Sequence, residues 1–337
     1  MSLTNEVNYS IIICTYNPDE AIFRRCLNAV SKLQSNGLEI EVIIVDNNSN
    51  IPLSKIDYVN SFLINLPFSK LLVAKEQGLS YARRAGILEA KGKHIVFFDD
   101  DNEPDADYLE ALRYLNLQYP HVGAWGPGHI EVDFISGIDS HLLKVAKQEF
   151  QDRHEKDIVY SNQRSWQGCY PFGTGLSIRR EFCIAYIEGI ASGHFTLSGR
   201  KENELTSGED TQMVFLVISK GAAAGVAPSL SLTHMVPQKR TTPEYLKRLS
   251  YGVSVCYSTC ILEVFPGEIH RIESNLVSPR KFKIKVLKKL YRLLFNSKIE
   301  KSLTLISYIG AVSGDYIALK RPVPSIANWA LKQLKVK

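Results

Sequence analysis

The sequence predicts an α/β fold in which a mixed, mostly parallel sheet is sandwiched by helices, with a helical extension at the C-terminal end. Three observations support this prediction. Over about the first 100 residues, short continuous apolar runs alternate with stretches in which apolar residues recur at helical spacing. Polar clusters follow three of these apolar runs. From about residue 242 onward the spacing is helical, and part of this region is strongly basic.

The first four strands are short and apolar on both faces. We predict them at residues 9–14, 40–45, 71–73 and 94–98. One helix between them ends at Asn36-Gly37, and another runs over residues 79–90. Strands and helices that alternate in this way form βαβ units with parallel strands. Residues 105–241 are expected to be less regular, with Gly-rich and aromatic-rich loops between helices.

The composition is that of an ordinary globular protein of 337 residues, with 45% hydrophobic and 22% charged residues and a formal net charge of +5. It excludes a disordered chain and a collagen-like repeat, and the length suggests about two domains. The six cysteines contain no C-x-x-C pair, so we expect reduced thiols in the core. No segment has a secretory-signal pattern or the length of a membrane span, which favours a cytoplasmic location.

Three polar clusters follow predicted strands, at residues 15–17, 46–49 and 99–102. Carboxyl ends of parallel strands meet at one edge of a sheet, where ligands bind. A polar turn is the alternative explanation for any single cluster. It does not explain Asp99-Asp100-Asp101, because three consecutive carboxylates repel one another unless a cation compensates them. Mg²⁺ and Mn²⁺ prefer carboxylate oxygens and often take one or two from the protein, so we expect such an ion here.

Five motifs occur in one order along the chain: SIIICTYN, VIIVDNNS, EQGLSYARRAGILEAKGKHIVFFDDDN, GTGLSIRR and SGEDTQM. In these motifs the chain from about Asn8 to His234 resembles the glycosyltransferases of family 2. The resemblance implies a GT-A fold and metal-dependent, inverting transfer of a sugar from a nucleotide-diphosphate donor to a hydroxyl group. The acceptor would be a glycan or a lipid-linked saccharide, in cell-surface polysaccharide synthesis. It also implies a catalytic domain over residues 1–241, with a nucleotide-binding half (1–104) and a half for donor sugar and acceptor (105–241).

The resemblance implies a role for each matching position. Residues expected to contact the nucleotide-sugar (UDP-sugar or another) are Thr15, Tyr16 and Asn17 in the nucleotide pocket, Asp46 at the base, Arg83 at the pyrophosphate or the base pocket, Asp99 and Asp100 at the ribose, and Gly173 and Thr174 at the donor sugar. Asp101 would bind Mn²⁺ or Mg²⁺. His234 would be a second metal ligand, with an ordinary loop histidine as the alternative. Arg84 departs from the family pattern, in which Asn is frequent.

The Glu209-Asp210 pair supplies the expected general base. Inverting transfer needs a group that takes the proton from the attacking hydroxyl, and the resemblance assigns this role to Asp210. Residues 211–219 are predicted to be helical, and the positive end of a helix keeps an acid ionised. The alternative is that this pair only caps the helix, as acids often do.

The C-terminal region, residues 242–337, contains a basic amphipathic segment. Residues 280–301 carry nine Lys or Arg and one Glu, a net charge of +8, and Phe282, Val286, Leu290 and Leu294 recur every four positions. Such a helix is typical of contact with the anionic inner face of a cell membrane. The alternative is an apolar stripe packed on the protein with a solvated basic face. Nucleic acid is not expected as a partner, because no aromatic platform accompanies the charge. The oligomeric state does not follow from the sequence.

Other functions fit less well. Processive synthases carry Q-x-x-R-W, whereas Gln238-Lys239-Arg240 is followed here by Thr241, which favours addition of one or a few sugars. A nucleotidyltransferase needs a Gly-rich, basic loop after its first strand, and a dehydrogenase needs G-x-G-x-x-G at the same place. The segment that follows the first predicted strand here, CTYNPDE, matches neither of these patterns. A transferase-like binding or scaffold protein without turnover is the non-enzymatic alternative.

Overall fold

The computed structural model describes residues 7–197, 199, 205, 207–295 and 298–336. The chain divides into two compact units. The first, called the sheet unit, contains Met1–Asp133, Asp152–Ser198 and Met213–Met235; the second, called the helical unit, contains Phe134–Gln151, Gly199–Gln212 and Val236–Lys337. Residues 198, 200–204 and 206, in the half expected to bind donor sugar and acceptor (105–241), lie outside the described residues.

The strands are β1 Tyr9–Thr15, β2 Ile40–Asp46, β3 Ser69–Val73, β4 His94–Asp99, β5 Asn102–Pro104, β6 Val122–Phe134, β7 Arg153–His154, β8 Val159–Ser161, β9 Leu176–Arg179 and β10 Ala223–Val236. They form one sheet in the order β3-β2-β1-β4-β9-β6-β10-β5, with β7 beside β6 and β8 beside β10. The helices are α1 Glu20–Ser31, α2 Asp57–Asn65, α3 Leu79–Glu89, α4 Tyr108–Gln118, α5 Ser140–Glu149, α6 Arg180–Ala191, α7 Glu209–Ser219, α8 Pro243–Val264, α9 Ile269–Asn275, α10 Pro279–Phe295, α11 Ile299–Ala318 and α12 Ile326–Gln333.

The predicted α/β class and its first four strands are confirmed. Strands β1 to β4 pair in parallel, and β9 pairs antiparallel with β4, so the sheet is mixed. Ile11, Ile12 and Ile13 of β1 are fully buried, as expected for a strand covered on both faces. Helix α3 approaches this strand closely at Gly86, where a Cβ atom would lie 2.7 Å from Cγ2 of Ile12. The glycine therefore sets the distance between helix and sheet.

The structure corrects two expectations. Residues 105–241 are more regular than predicted, because β6 and β10 are long strands rather than loops. Gly126 and Gly128 interrupt the apolar pattern of β6, and a side chain at either position would clash with neighbouring backbone or with Pro171. Helix α2, which buries Val59 and Phe62, was also not predicted, because a helix of nine residues is too short to give a clear helical period.

Each unit has its own apolar core. In the sheet unit, Trp125 and Tyr108 are among the largest fully buried side chains. In the helical unit, α8 and α11 approach closely because Gly314 lies against the backbone of Val255, where a Cβ would be 2.4 Å from the carbonyl oxygen. All six cysteines are among the described residues; none of them forms a disulfide, and five are buried. No helix in the described ranges combines the length and apolar character needed to cross a membrane.

Candidate active site

The three polar clusters lie together at the carboxyl ends of β1, β2 and β4. The backbone N–H of Asn47 donates to the carbonyl of Thr15 (2.8 Å), which ties the ends of β1 and β2. Asn17, exposed and in the left-handed region at φ 48°, donates its N–H to Oγ of Ser49 (3.0 Å). Neighbouring Tyr16 is half-buried. The parallel strands thus bring the clusters to one edge of the sheet.

The three consecutive acids at the end of β4, Asp99 to Asp101, have three different partners. Oδ1 of Asp99 lies 3.7 Å from Nη2 of Arg83. Asp100 accepts a hydrogen bond from the hydroxyl of Thr15. Oδ1 of Asp101 lies 3.7 Å from Nε2 of His234. The repulsion expected from three neighbouring carboxylates is reduced because the turn separates their side chains.

His234 reaches Asp101 through the pairing of β10 with β5. These strands are antiparallel, and His234 is the register partner of Asn102. The N–H of Met235 also donates to the backbone carbonyl of Asp101 (2.8 Å). Asp101 is 5% exposed and His234 7% exposed, so the pair is held in a buried position.

Asn102 belongs to the third polar cluster, and no role was predicted for its side chain. It is fully buried, donates from Nδ2 to Oδ1 of Asp101 (3.1 Å) and accepts from the N–H of Asp99 (3.0 Å). It therefore fixes the turn in which all three acids stand. An Asn directly after an acidic triplet is a signal that could have found it, because Asn side chains commonly bond to backbone in turns.

Asp46 is buried and organises its own loop. One carboxylate oxygen accepts from the N–H of Ser49 (2.8 Å) and the other from the N–H of Leu53 (3.0 Å). The side chain is 1% exposed. Its contact with a nucleotide base stays a prediction, while its support of the loop after β2 is visible in the structure.

Arg83 is a buried cation next to the acid cluster. It is 2% exposed, and its guanidinium carbon lies 5.1 Å from the ring centroid of Phe97. Burial on an aromatic face beside Asp99 holds the guanidinium in one place. Positive charge is thus fixed on one side of the acids.

The GTG loop before β9 has one conformationally restricted position. Gly175 has φ 69°, and a Cβ atom there would lie 2.8 Å from the hydroxyl of Tyr108. That hydroxyl donates to the carbonyl of Gly175 (2.6 Å), which anchors the loop. Gly173 is buried and Thr174 is 2% exposed. Their contact with a donor sugar stays a prediction.

Glu209 and Asp210 belong to the helical unit, in the first turn of α7. Oδ1 of Asp210 accepts from the N–H of Thr211 (2.7 Å), and the carbonyl of Gly208 accepts from the N–H of Gln212 (2.8 Å). Glu209 is 4% exposed and Asp210 is half-buried. This geometry is compatible with a capping role and with a base held by the positive end of the helix.

Burial raises the pKa of the nearby Cys260 thiol well above its usual value, and the charges of Asp210 and Glu209 act in the same direction. The thiol donates to the carbonyl of Gly208 (3.4 Å). Cys260 is therefore a neutral structural group beside the acidic pair, and the ionisable groups there are carboxylates.

The pair Asp101 and His234 fits a divalent cation. A metal–ligand bond of about 2.1 Å allows two ligand atoms of one ion to lie up to about 4.2 Å apart, and 3.7 Å is within this limit. Carboxylate oxygen and imidazole nitrogen are both ligands of Mn²⁺. Asp99 and Asp100 next to them add negative charge that favours a cation.

The sheet topology and the acid cluster define a class of protein. The sequence model of the family described as Glycosyl transferase family 2 matches residues 10–182, which is just over half of the chain. The chain belongs to this family, and the predicted GT-A type of fold is confirmed.

Similarity to individual proteins is more limited. The chain is 26% identical over 110 residues to "Cholesterol galactosyltransferase" of Borreliella burgdorferi, covering 33% of this chain and 29% of that one. It is 35% identical over 102 residues to "Glycosyltransferase AglE" of Haloferax volcanii, covering 30% and 33%. It thus spans about a third of the length of these relatives. The solved structure of GalNAc-T7 with UDP, GalNAc and Mn²⁺ has a similar fold, with a TM-score of 0.50, 17% identity, and 75% of this chain and 48% of that chain covered.

Proposed function

We propose that this protein transfers a sugar, with inversion, from a nucleoside diphosphate donor to a hydroxyl group of a glycan or a lipid-linked saccharide. Surface polysaccharide synthesis is the proposed pathway. The observation that carries this proposal is the buried Asp101–His234 pair at the carboxyl edge of a family 2 sheet. The catalytic domain in this proposal covers residues 1–241.

In this proposal Asp101 and His234 hold Mn²⁺ or Mg²⁺, which would offset the negative charge of the departing diphosphate. The residues of the chain itself orient the donor. Thr15, Tyr16 and Asn17 line the nucleotide pocket and Asp46 supports the base-binding loop. Asp99 and Asp100 accept hydrogen bonds from the ribose, and Gly173 and Thr174 contact the sugar. Arg83, whose guanidinium is buried beside these acids, places positive charge near the pyrophosphate.

Asp210 is the proposed general base. Its carboxylate accepts the proton of the acceptor hydroxyl as the oxygen attacks the anomeric carbon, and the carbon–oxygen bond to the diphosphate breaks. The Thr211 N–H bonds to Oδ1 and keeps the carboxylate in one orientation. Glu209, buried beside it, supports the start of α7. Because Thr241 replaces the end of the processive motif, transfer of one or a few sugars is proposed.

A panel of nucleotide-sugars, tested for thermal stabilisation and then for nucleoside diphosphate release, is the direct test. UDP-sugars with Mn²⁺ come first, since the GalNAc-T7 structure contains UDP and Mn²⁺. A fitting donor at about 100 times its Kd adds about 2.7 kcal/mol of stability. The matched control is Asp107→Ala, at an exposed acid whose side chain makes no cap hydrogen bond.

We expect a metal-dependent shift and turnover in the wild type and in Asp107→Ala, but not in Asp101→Ala. Donor binding without release of nucleotide in the presence of acceptor would indicate a binding protein. Incorporation of a nucleotidyl group would indicate a nucleotidyltransferase.

We further propose that helix α10 contacts an anionic membrane. Phe282 and Val286 are fully buried in the core of the helical unit. For these two residues, the alternative of an apolar stripe packed on the protein is therefore correct. A second apolar row, of which only Leu294 belongs to the predicted repeat, is exposed on the same helix. It consists of Ile284 (55% exposed), Leu287 (40%), Tyr291 (62%), Leu294 (80%) and Phe295 (76%).

The spacing of this exposed row places its members on one helical face. Lys281, Lys288 and Arg292 are exposed on the same helix. An apolar row with basic neighbours matches the interface of an anionic leaflet better than a protein surface. Lys285 is different, because its Nζ lies 4.1 Å from the ring centroid of Tyr308.

Flotation with vesicles tests the membrane contact. Binding to vesicles that contain phosphatidylglycerol, and little binding to pure phosphatidylcholine, is expected. Each Lys removed should weaken the partition about fivefold, equivalent to about 1 kcal/mol. Two double variants should reduce binding: Lys281→Gln combined with Lys288→Gln, and Leu294→Ser combined with Phe295→Ser. The control double variant, Lys55→Gln combined with Leu117→Ser, should bind like the wild type. Equal binding by all three variants would exclude α10 as the contact.

A further inference from the structure

Two histidines face each other where β7 pairs with β6. His129 and His154 are register partners, their Nδ1 atoms lie 3.1 Å apart and their ring centroids 4.6 Å apart. Side chains alternate along a strand, so Glu131 lies on the same face of β6 as His129. One ligand atom from each of His129, Glu131 and His154 lies within 4.8 Å of the others.

Asp152 orients one of these rings. Its Oδ2 lies 3.3 Å from Nε2 of His154, and Oε2 of Glu131 lies 3.8 Å from the same nitrogen. A carboxylate that accepts from Nε2–H selects the tautomer whose Nδ1 carries the lone pair. That Nδ1 faces His129. The arrangement is the one in which a carboxylate positions a metal-binding histidine.

We propose that His129, His154 and Glu131 bind one Zn²⁺ ion, with Asp152 as a positioning residue. Imidazole and carboxylate are ligands typical of zinc. With Zn–N bonds of about 2.0–2.1 Å, two nitrogens on a tetrahedral ion lie about 3.3 Å apart, close to the 3.1 Å between the two Nδ1 atoms. A doubly charged cation also balances the two carboxylates. This site shares no residue with the Asp101–His234 pair.

The ion would fasten β7, which is only two residues long. Arg153 of β7 is 9% exposed and donates from Nη2 to the carbonyls of Gly168 (3.1 Å) and Tyr170 (3.2 Å). Its guanidinium carbon lies 4.4 Å from the ring centroid of Phe172. The segment held by Arg153 leads directly into Gly173 of the GTG loop. A metal at β7 therefore stabilises the chain that precedes this loop.

The test uses zinc alone and protein without a histidine tag. All variants carry Asp101→Ala, which removes the other proposed site. Equilibrium dialysis should give one bound Zn²⁺ per chain, and zinc should raise the melting temperature. Binding should weaken more than 100-fold in His129→Ala and in His154→Ala, and about 10–100-fold in Asp152→Asn. His141→Ala, at an exposed histidine elsewhere, should bind like its parent.

Absence of zinc binding in the Asp101→Ala parent, or binding that is unchanged in both histidine variants, would overturn the proposal. The visible spectrum of the Co²⁺-loaded parent gives a second measurement that does not depend on how the variants fold. Bands of tetrahedral cobalt with nitrogen ligands are expected, and the spectrum of octahedral aqueous cobalt would contradict the site.

Discussion

Nε2 of His234 lies 3.7 Å from Oδ1 of Asp101, and both side chains are buried. If the two hold one cation, His234→Ala should weaken Mn²⁺-dependent donor binding at least tenfold. His141→Ala, at an exposed position, is the matched control. Calorimetric titration with UDP at fixed Mn²⁺ measures the change. Equal UDP affinity in the two variants would show that His234 is an ordinary buried histidine.

Arg83→Met should lower both stability and donor affinity. The substitution removes a buried cation that faces Asp99, and we expect a loss of about 1–3 kcal/mol in the free energy of unfolding. Urea denaturation measures this loss, with Arg84→Met, at a half-buried neighbour, as the control. If Arg83→Met is as stable as the control and binds donor with the wild-type affinity, Arg83 contributes neither to stability nor to donor binding.

Asp210→Asn should keep donor binding and lose transfer. Asparagine retains an oxygen that can accept from the Thr211 N–H, so the start of α7 should survive, but it cannot take a proton. We expect kcat to fall about 10²–10⁴-fold with the Kd for donor unchanged. Single-turnover assays and calorimetry separate the two effects. An active Asp210→Asn enzyme would place the base elsewhere and leave Asp210 as a helix cap.

Glu149 should make stability depend on pH. Burial raises its pKa from 4.5 to about 7, and a hydrogen bond with Ser250 opposes the shift. The folded state then holds this proton more tightly than the unfolded state. Its contribution to stability is complete below about pH 4.5 and is lost as the pH rises to 7, a change on the order of 3 kcal/mol.

Urea denaturation of Glu149→Gln across this pH range tests the assignment. The variant should lose the dependence and be more stable than the wild type at pH 8. Glu300→Gln, at an exposed acid of the helical unit, should keep it. A wild-type slope that persists in Glu149→Gln would assign the dependence to another group.

The sequence predicted the first four strands because each contains a continuous apolar run. Strands β1, β2 and β4 are mainly buried, whereas β3 is half-buried and ends at the exposed Val73. The sequence did not predict β6, since Gly126 and Gly128 hide the alternation of Ile130 and Val132 with polar neighbours. The candidate site, too, could be predicted only in part. Asp101 and His234 could be named from motifs, but their contact depends on the pairing of β5 with β10.

Long-range pairing is also why His129 and His154 gave no signal in the sequence. They meet only through the register of a two-residue strand, which no local pattern encodes. The packing of α10 was hidden for a related reason. Phe282 and Leu294 belong to one apolar repeat in the sequence, but Phe282 is fully buried and Leu294 is 80% exposed.

A crystal of the protein soaked with Mn²⁺ and UDP tests the central claim most directly. The claim predicts an anomalous manganese peak within bonding distance of Asp101 and His234, with the diphosphate of UDP on the same ion. Manganese at another position, or UDP bound at another edge of the sheet, would contradict it.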